Sequence, residues 1–544
     1  MKITPLLCCL LLFSFTAFSQ KKDLKVVTQT KIVGKNHIDS SAIEGIEYIF
    51  PDRIDHYFMD TTSYLLTLQL RGFKSMANGL KSKGTILQYD LNQNKTLWTK
   101  AMDYDICELL KFDNLLVFND YNDAYGLDEH TGENLWRVKN YLYLVDPKYN
   151  VGMAYQYIAS GDGYYTNDFF NVDLQSGKLL WKRNINRAFG WNDYFYLNDS
   201  TLMVVAAGLH TINIKTGEGW DYNTPTGKQL STAPSGVGIT GAIVGGIIGG
   251  LIGGLIGGLI TGGLYVTVPI YNYDAITAKD NVVSGIVSNI VIRNDFIYFA
   301  FKDTLAKLNK HTGQIAWKSS FEKDITGNSF IFLNGDVIYM INNGFAFRGQ
   351  NQIDYGKPFI AAFDALTGRE KYFYLLNKND GPVIDFKLID NEIYLLHKNA
   401  VGKYDMVSGM QIYGINLPRT VIGDLDYFVD NQFSILNKNE SFLFMDQYDL
   451  STIQIHTTTR KIITLGTQLN LMHTIDDENI GVYYARYQDY DLIAHDKKTY
   501  MVNDEGGKIA ELEVGANAII MDNILYDKQF RSFIAIDLQT LIPK

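Results

Sequence analysis

A chain of 544 residues, 46% hydrophobic and 13% aromatic, can bury a large core. Its 36 Tyr, 30 Phe and 6 Trp against 10 Pro favour strands. A formal net charge of −10, with no basic cluster of interaction size, excludes a nucleic-acid partner on electrostatic grounds.

The N-terminus reads as an export signal. Lys2 supplies the positive end, residues 6–18 the apolar run, and Ala17-Phe18-Ser19 a small-x-small cleavage step before Gln20. The run is shorter than the ~20 residues of a membrane span, so removal of 1–19 is expected. Cys8 and Cys9 lie inside the run, where a lipidated cysteine would instead end it. Cys107 is then the one cysteine of the mature chain, and no intramolecular disulfide can form, although an exported compartment would permit one. The expected location is periplasm, outer membrane or extracellular space.

Residues 24–55 carry a weak pattern, with a possible strand over 24–33. A repeat then begins. In Asp128/Gly132/Trp136, Asp173/Gly177/Trp181 and Asn309/Gly313/Trp317, an Asp or Asn stands four residues before Gly, and Gly four before Trp. Asp90 keeps the step to Trp98 with Asn94 in the glycine slot, and Asn tolerates positive φ. Asn213 has Gly217, with Trp220 one position early. Asp364/Gly368 and Asp405/Gly409 put Tyr372 and Tyr413 in the tryptophan slot. Asn503/Gly507 loses the aromatic, Asp537 opens a truncated copy, and a degenerate copy near His456 is needed to fill the gap.

The copies recur at a period of ~40 residues, which is the spacing of propeller blades. One unit parses into four strands, 106–112, 114–119, 124–128 and 134–138, and another into 286–293, 296–301, 304–309 and 315–319. An Asp or Asn that ends a strand can accept from the backbone of the turn it starts, and Gly takes the left-handed conformation at least cost. The aromatic would then seal one blade against the next. The fold class is therefore all-β, a propeller of four-stranded blades. Nine or ten copies against an expected seven or eight leave the number between seven and ten. The strand at 24–33 is expected to complete the truncated C-terminal blade.

These motifs resemble the pyrroloquinoline-quinone-like β-propeller repeat, over roughly residue 63 to the C-terminus. The resemblance implies a propeller fold, shared by quinoprotein alcohol dehydrogenases and by a non-enzymatic lipoprotein that scaffolds outer-membrane protein assembly. Enzymes of that family commonly hold their quinone with an adjacent Cys pair, a Trp beneath the ring and Glu/Asn/Asp ligands to Ca²⁺. This mature chain has no Cys pair, and only Trp191 is spare from the repeat. The sequence accordingly reads as non-enzymatic, with no cofactor, no metal and no catalytic residue. His130 and His311 share the slot before Thr-Gly and read as turn residues, and no histidine pair has zinc spacing. The stretches 160–163, 476–478 and 489–491 read as solvated loops, short of the alternating oxygens of a Ca²⁺ loop.

One feature stands outside the repeat. From Gln229 to Tyr273 no residue is charged, and glycine pairs beginning at Gly245, Gly249, Gly253 and Gly257 alternate with Ile/Leu pairs. On a helix this places glycines on one stripe, the small-xxx-small pattern of helices that pack closely in lipid. In water each glycine would cost ~1 kcal/mol of helix propensity. The insertion 236–266 thus reads as a helical glycine zipper for membrane contact or self-association. It divides the propeller into 20–235 and 267–544. A single crossing would strand the two halves on opposite sides of a bilayer, so only a hairpin, re-entrant or interfacial mode is compatible with one ring.

The reading that follows is an exported cell-envelope propeller that scaffolds protein partners. The alternatives are a quinone-dependent or hydrolytic propeller enzyme and a membrane-active secreted protein.

Overall fold

The computed structural model describes residues 24–60, 62–74, 79–112, 115–121, 123–146, 149–157, 165–185, 193–206, 208–224, 267–268, 286–348, 351–397, 400–417, 433–435, 452–456, 461–466, 468–476, 482–495, 498–515 and 517–542. The export signal, Trp191, the loop 160–163 and the glycine insertion with Gly245, Gly249, Gly253 and Gly257 lie outside the described residues. Among the described residues there is no α-helix, and the helical reading of 236–266 falls outside them.

Strands dominate because the sequence offers short apolar runs, each ended by a turn residue. They assemble as a β-propeller. Within each module consecutive strands pair antiparallel, and ten four-stranded modules are described. Module one spans 53–103 and module two runs Cys107–Phe112, Leu115–Asp120, Asp123–Leu127 and Asn134–Val138. Modules three and four span 141–184 and 193–223. Module five runs Ile290–Arg293, Phe296–Phe301, Thr304–Asn309 and Ile315–Ser320, with Thr267–Val268 added beside its first strand. Module six spans 329–375 and carries an extra hairpin, Phe345–Arg348 with Asn351–Asp354, between its second and third strands. Modules seven, eight and nine span 383–416, 433–476 and 482–512.

The middle strands of each module are the most buried. Leu116, Val117 and Leu127 of module two and Phe299, Ala300, Leu305 and Leu308 of module five have no exposed surface. Core clusters run between modules: Ile54, Leu68 and Tyr89 of module one pack with Tyr526 and Phe533 of module ten, and Tyr394 and Val401 of module seven with Ile455 and Ile463 of module eight.

Module ten corrects the sequence reading of the N-terminus. Its own strands are Ile519–Met521, Ile524–Lys528 and Ser532–Asp537, and the fourth is Ala42–Ile49, in register Ile46↔Ala535, Glu47↔Ile534 and Tyr48↔Phe533. The expected strand, here Val27–Asn36, lies outside it and pairs with Ala42–Ile49; its end also pairs with module nine at Gly34↔Leu512 and Asn36↔Ala510. Charges hide the true closing strand from a sequence reading. Glu44 and Glu47 interrupt the apolar pattern, yet Glu47 is buried against Gln29, Lys31 and Ser532.

Candidate interaction surface

The seams between modules are built from the repeat outward. At the turn of module two, Asp128 Oδ1 accepts from the N–H groups of His130 (3.0 Å) and Thr131 (2.7 Å) and from the Thr131 hydroxyl (3.0 Å). Gly132 closes the turn by donating to the Asp128 carbonyl at 2.8 Å, with φ +71°. Asp173 is held by Ser176 and Asn309 by Thr312 in the same way, with Gly177 and Gly313 at φ +67° and +70°. The Thr131 backbone N–H lowers the pKa of Asp128, and hydroxyls of Ser176, Thr367 and Ser408 lower those of Asp173, Asp364 and Asp405.

The turns of modules two to seven each receive the aromatic of the module before. Trp98 lies against Gly132, Trp136 against Gly177, Trp181 against Gly217, Trp220 against Gly313, Trp317 against Gly368 and Tyr372 against Gly409. A Cβ at Gly313 would stand 2.5 Å from the Trp220 ring. Glycine is therefore required twice at these positions, by the left-handed backbone and by the neighbouring indole. The ring nitrogen then bonds the carbonyl one residue past the turn Asp or Asn: Trp98 to Glu129 (2.7 Å), Trp181 to Ile214 (2.8 Å), Trp220 to Lys310 (3.0 Å) and Trp317 to Ala365 (3.2 Å). Tyr372 reaches the Met406 carbonyl with its hydroxyl at 3.0 Å. Trp136 is the exception. Its Nε1 is buried without a partner among the described residues, and its ring lies over Gly126 of its own module.

A second seam residue has no sequence signature. Two positions before the turn residue, Asn171 and Lys307 donate to the carbonyls that already bind Trp181 and Trp317, at 3.0 Å each. Gln88, in the equivalent position, reaches the Glu129 side chain, which also pairs with Lys111. These three share a donor role and not a residue type. Only their common offset from the turn residue could have revealed them.

The turn histidines and the acidic stretch 489–491 sit at the surface, whereas His210 and His397 are buried. His130 is an exposed turn residue, and His311 pairs with Asp295 at 3.1 Å. Asp491 and Asp504 hold Arg486 at 2.9 and 2.7 Å. Cys107 is half-buried, and burial pushes its thiol up to about 11, so it is not a reactive thiolate. Among the described residues no group of His, Cys, Asp or Glu is arranged to hold a metal. An open cleft of about 380 Å³ lies between modules four and five, where the outer strand of module four is only three residues long. Trp220, Glu218, Lys310 and His311 line it, a mixture suited to gripping a polar side chain.

A family model described as outer membrane protein assembly factor BamB matches residues 77–249. Over that stretch the chain matches the PQQ-like β-propeller repeat. Among solved structures, the chain is similar to BamB from Moraxella catarrhalis, at 12% identity over 78% of this chain and 96% of that one, with a TM-score of 0.32. It is also similar to the dihydro-heme d1 dehydrogenase NirN in complex with DHE (9%, 78% and 75%, 0.30) and to a europium-containing methanol dehydrogenase (10%, 67% and 80%, 0.27). No curated protein matches.

What remains available for contact is the rim. Leu135, Leu180, Ile315 and Ile412 project from the outer strands of modules two, three, five and seven, each about half exposed. Exposed aliphatic groups on rigid strands form a surface on which protein can dock.

Proposed function

We propose that this chain is an exported, cell-envelope scaffold that binds other proteins through its rim and loops and performs no catalysis. The observation that carries the reading is the match of 77–249 to a family model described as an outer-membrane protein assembly factor. The seams support it: five of the six mature tryptophans are engaged between modules.

The segment 236–266 would tether the ring to a membrane or to other copies. Its described flanks lie in successive modules, Asp221–Asn223 in module four and Thr267–Val268 in module five. That supports a hairpin or interfacial attachment, with both flanks on one side of the bilayer. Among the described residues no helix is long and apolar enough to cross a membrane.

Fractionation of envelopes with in-cell crosslinking tests the scaffold. Crosslinks from rim positions to envelope proteins, together with inactivity toward alcohols after addition of quinone and Ca²⁺, are expected. Quinone-dependent oxidation would replace this reading with the enzymatic one. For the tether, the full chain should float with liposomes and the chain lacking 236–266 should not; equal flotation would remove it.

A further inference from the structure

Outer strands of a propeller present unpaired backbone, and charged side chains commonly protect such edges from pairing with other chains. Here Lys100, Arg137, Lys182, Lys318 and Lys371 stand on the outer strands of modules one, two, three, five and six. Modules four and eight carry Asp221 and Asp476. Module seven differs. Its outer strand Gln411–Asn416 has no charged residue, and neither does the turn leading into it, Met406 to Met410. Among the described residues this strand ends its sheet.

The same edge is apolar. Val407 is 72% exposed, Met410 61%, and Ile412 and Tyr413 50% each. Tyr413 stands in the aromatic slot of the repeat, but among the described residues the module that follows gives it no glycine cradle. The turn there closes after three residues, with Leu469 donating to the Gly466 carbonyl at 2.8 Å. Leu469 itself takes the left-handed conformation, φ +59°, and is buried in the core shared by modules seven and eight.

Strand addition to an outer edge already occurs within this chain. Gly34–Asn36 pairs antiparallel with Ala510–Leu512 on the outer strand of module nine. Of the possible occupants for the edge of module seven, a second copy fits best. An antiparallel pair of identical strands is self-complementary under two-fold symmetry. No like charges would face each other across it. Copies of a chain of net charge −10 repel one another, and an uncharged edge is where that repulsion is least.

We propose that Gln411–Asn416 is a homodimerisation edge, pairing antiparallel with the same strand of a second copy, with Met410, Ile412 and Tyr413 packing across the two-fold axis. Six residues a side place the contact below the ~1,200 Å² of standard interfaces, so the dimer is weak and reversible.

Sedimentation of the purified full chain from ~1 μM to ~1 mM tests this, a range that brackets weak dissociation constants. A monomer–dimer equilibrium is expected, with amide exchange over 411–416 slowing as concentration rises. Ile412→Lys should weaken the dimer at least ~10-fold, whereas Leu180→Lys, equally exposed on module three, should leave it unchanged. Both positions are at the surface, and circular dichroism verifies that the variants fold. A monomer throughout the range overturns the proposal. So does association that survives Ile412→Lys but disappears on removal of 236–266, or slowed exchange at 411–416 that appears only when another envelope protein is added.

Discussion

The turn glycines separate two costs that usually travel together. Gly335 has φ +56° and open space for 4 Å around the point where a Cβ would stand, whereas Gly313 has φ +70° with the Trp220 ring in the way. Gly335→Ala should therefore cost only the backbone strain, about 1 kcal/mol. Gly313→Ala adds overpacking and should cost roughly 2–4 kcal/mol. Denaturant midpoints of the two variants give the comparison, and equal losses would mean that the indole contact carries no energy. The shared carbonyl of Ile214 makes a second case. Trp181→Phe and Asn171→Ala each leave one donor on it, so a double-mutant cycle should show coupling of about 1 kcal/mol. The Asp–Gly–Trp spacing is a local regularity, readable from one strand pair. The second donor is not, because Asn171 and Lys307 are alike only in what they reach across the seam.

At the level of elements, the strands of modules two and five begin and end within a few residues of where the alternation and turn signals put them. Module eight has no such signature, yet the ~40-residue period requires a copy near His456, and Thr452–His456 is a strand of it. The closing hairpin is legible only in part, because its pairing partner lies at the other end of the chain. Truncation to residue 37 should lower the melting temperature by removing the strand that joins modules nine and ten. Truncation to residue 50 removes the fourth strand of module ten and should prevent stable folding.

The same closure sets a pH dependence. Asp527 lies in one cross-strand row with Ile534, Glu47 and Gln29. Burial raises its pKa to about 6, against hydrogen bonds from Gln529 and the Gly515 backbone and the charges of Lys31 and Lys528. The folded state thus holds this proton more tightly than the unfolded chain, and stability should rise as pH falls from above 6 towards 4. Asp527→Asn should flatten that rise and stabilise the protein at pH 7 by on the order of 2 kcal/mol. The turn aspartates act with the opposite sign. Their lowered pKa values contribute stability above the ordinary carboxylate range, and it is lost as pH falls through the folded values, giving acid unfolding below ~4.

For the whole molecule, the aromatic seams join modules one to seven in series, so a defect in one is passed to its neighbours and not confined. Strands 27–36 and 42–49 meet strands from the C-terminal part of the chain in one sheet, and this makes modules nine and ten the place where the ring is fastened. A scaffold built this way offers rigid rim positions at regular intervals, which suits the binding of several partners or of several strands of one.

The sequence by itself determined the fold class, because strand alternation, turn chemistry and blade period are local or periodic signals that survive without knowledge of contacts. It also marked the seams, since an aromatic at a fixed distance from a glycine turn recurs along the chain. Only the tertiary structure decided which strand closes the ring, which buried donors share a carbonyl with a tryptophan, and which outer edge lacks cover among the described residues. Those depend on residues far apart in sequence coming within a few ångströms of each other, and no window of the chain contains both partners.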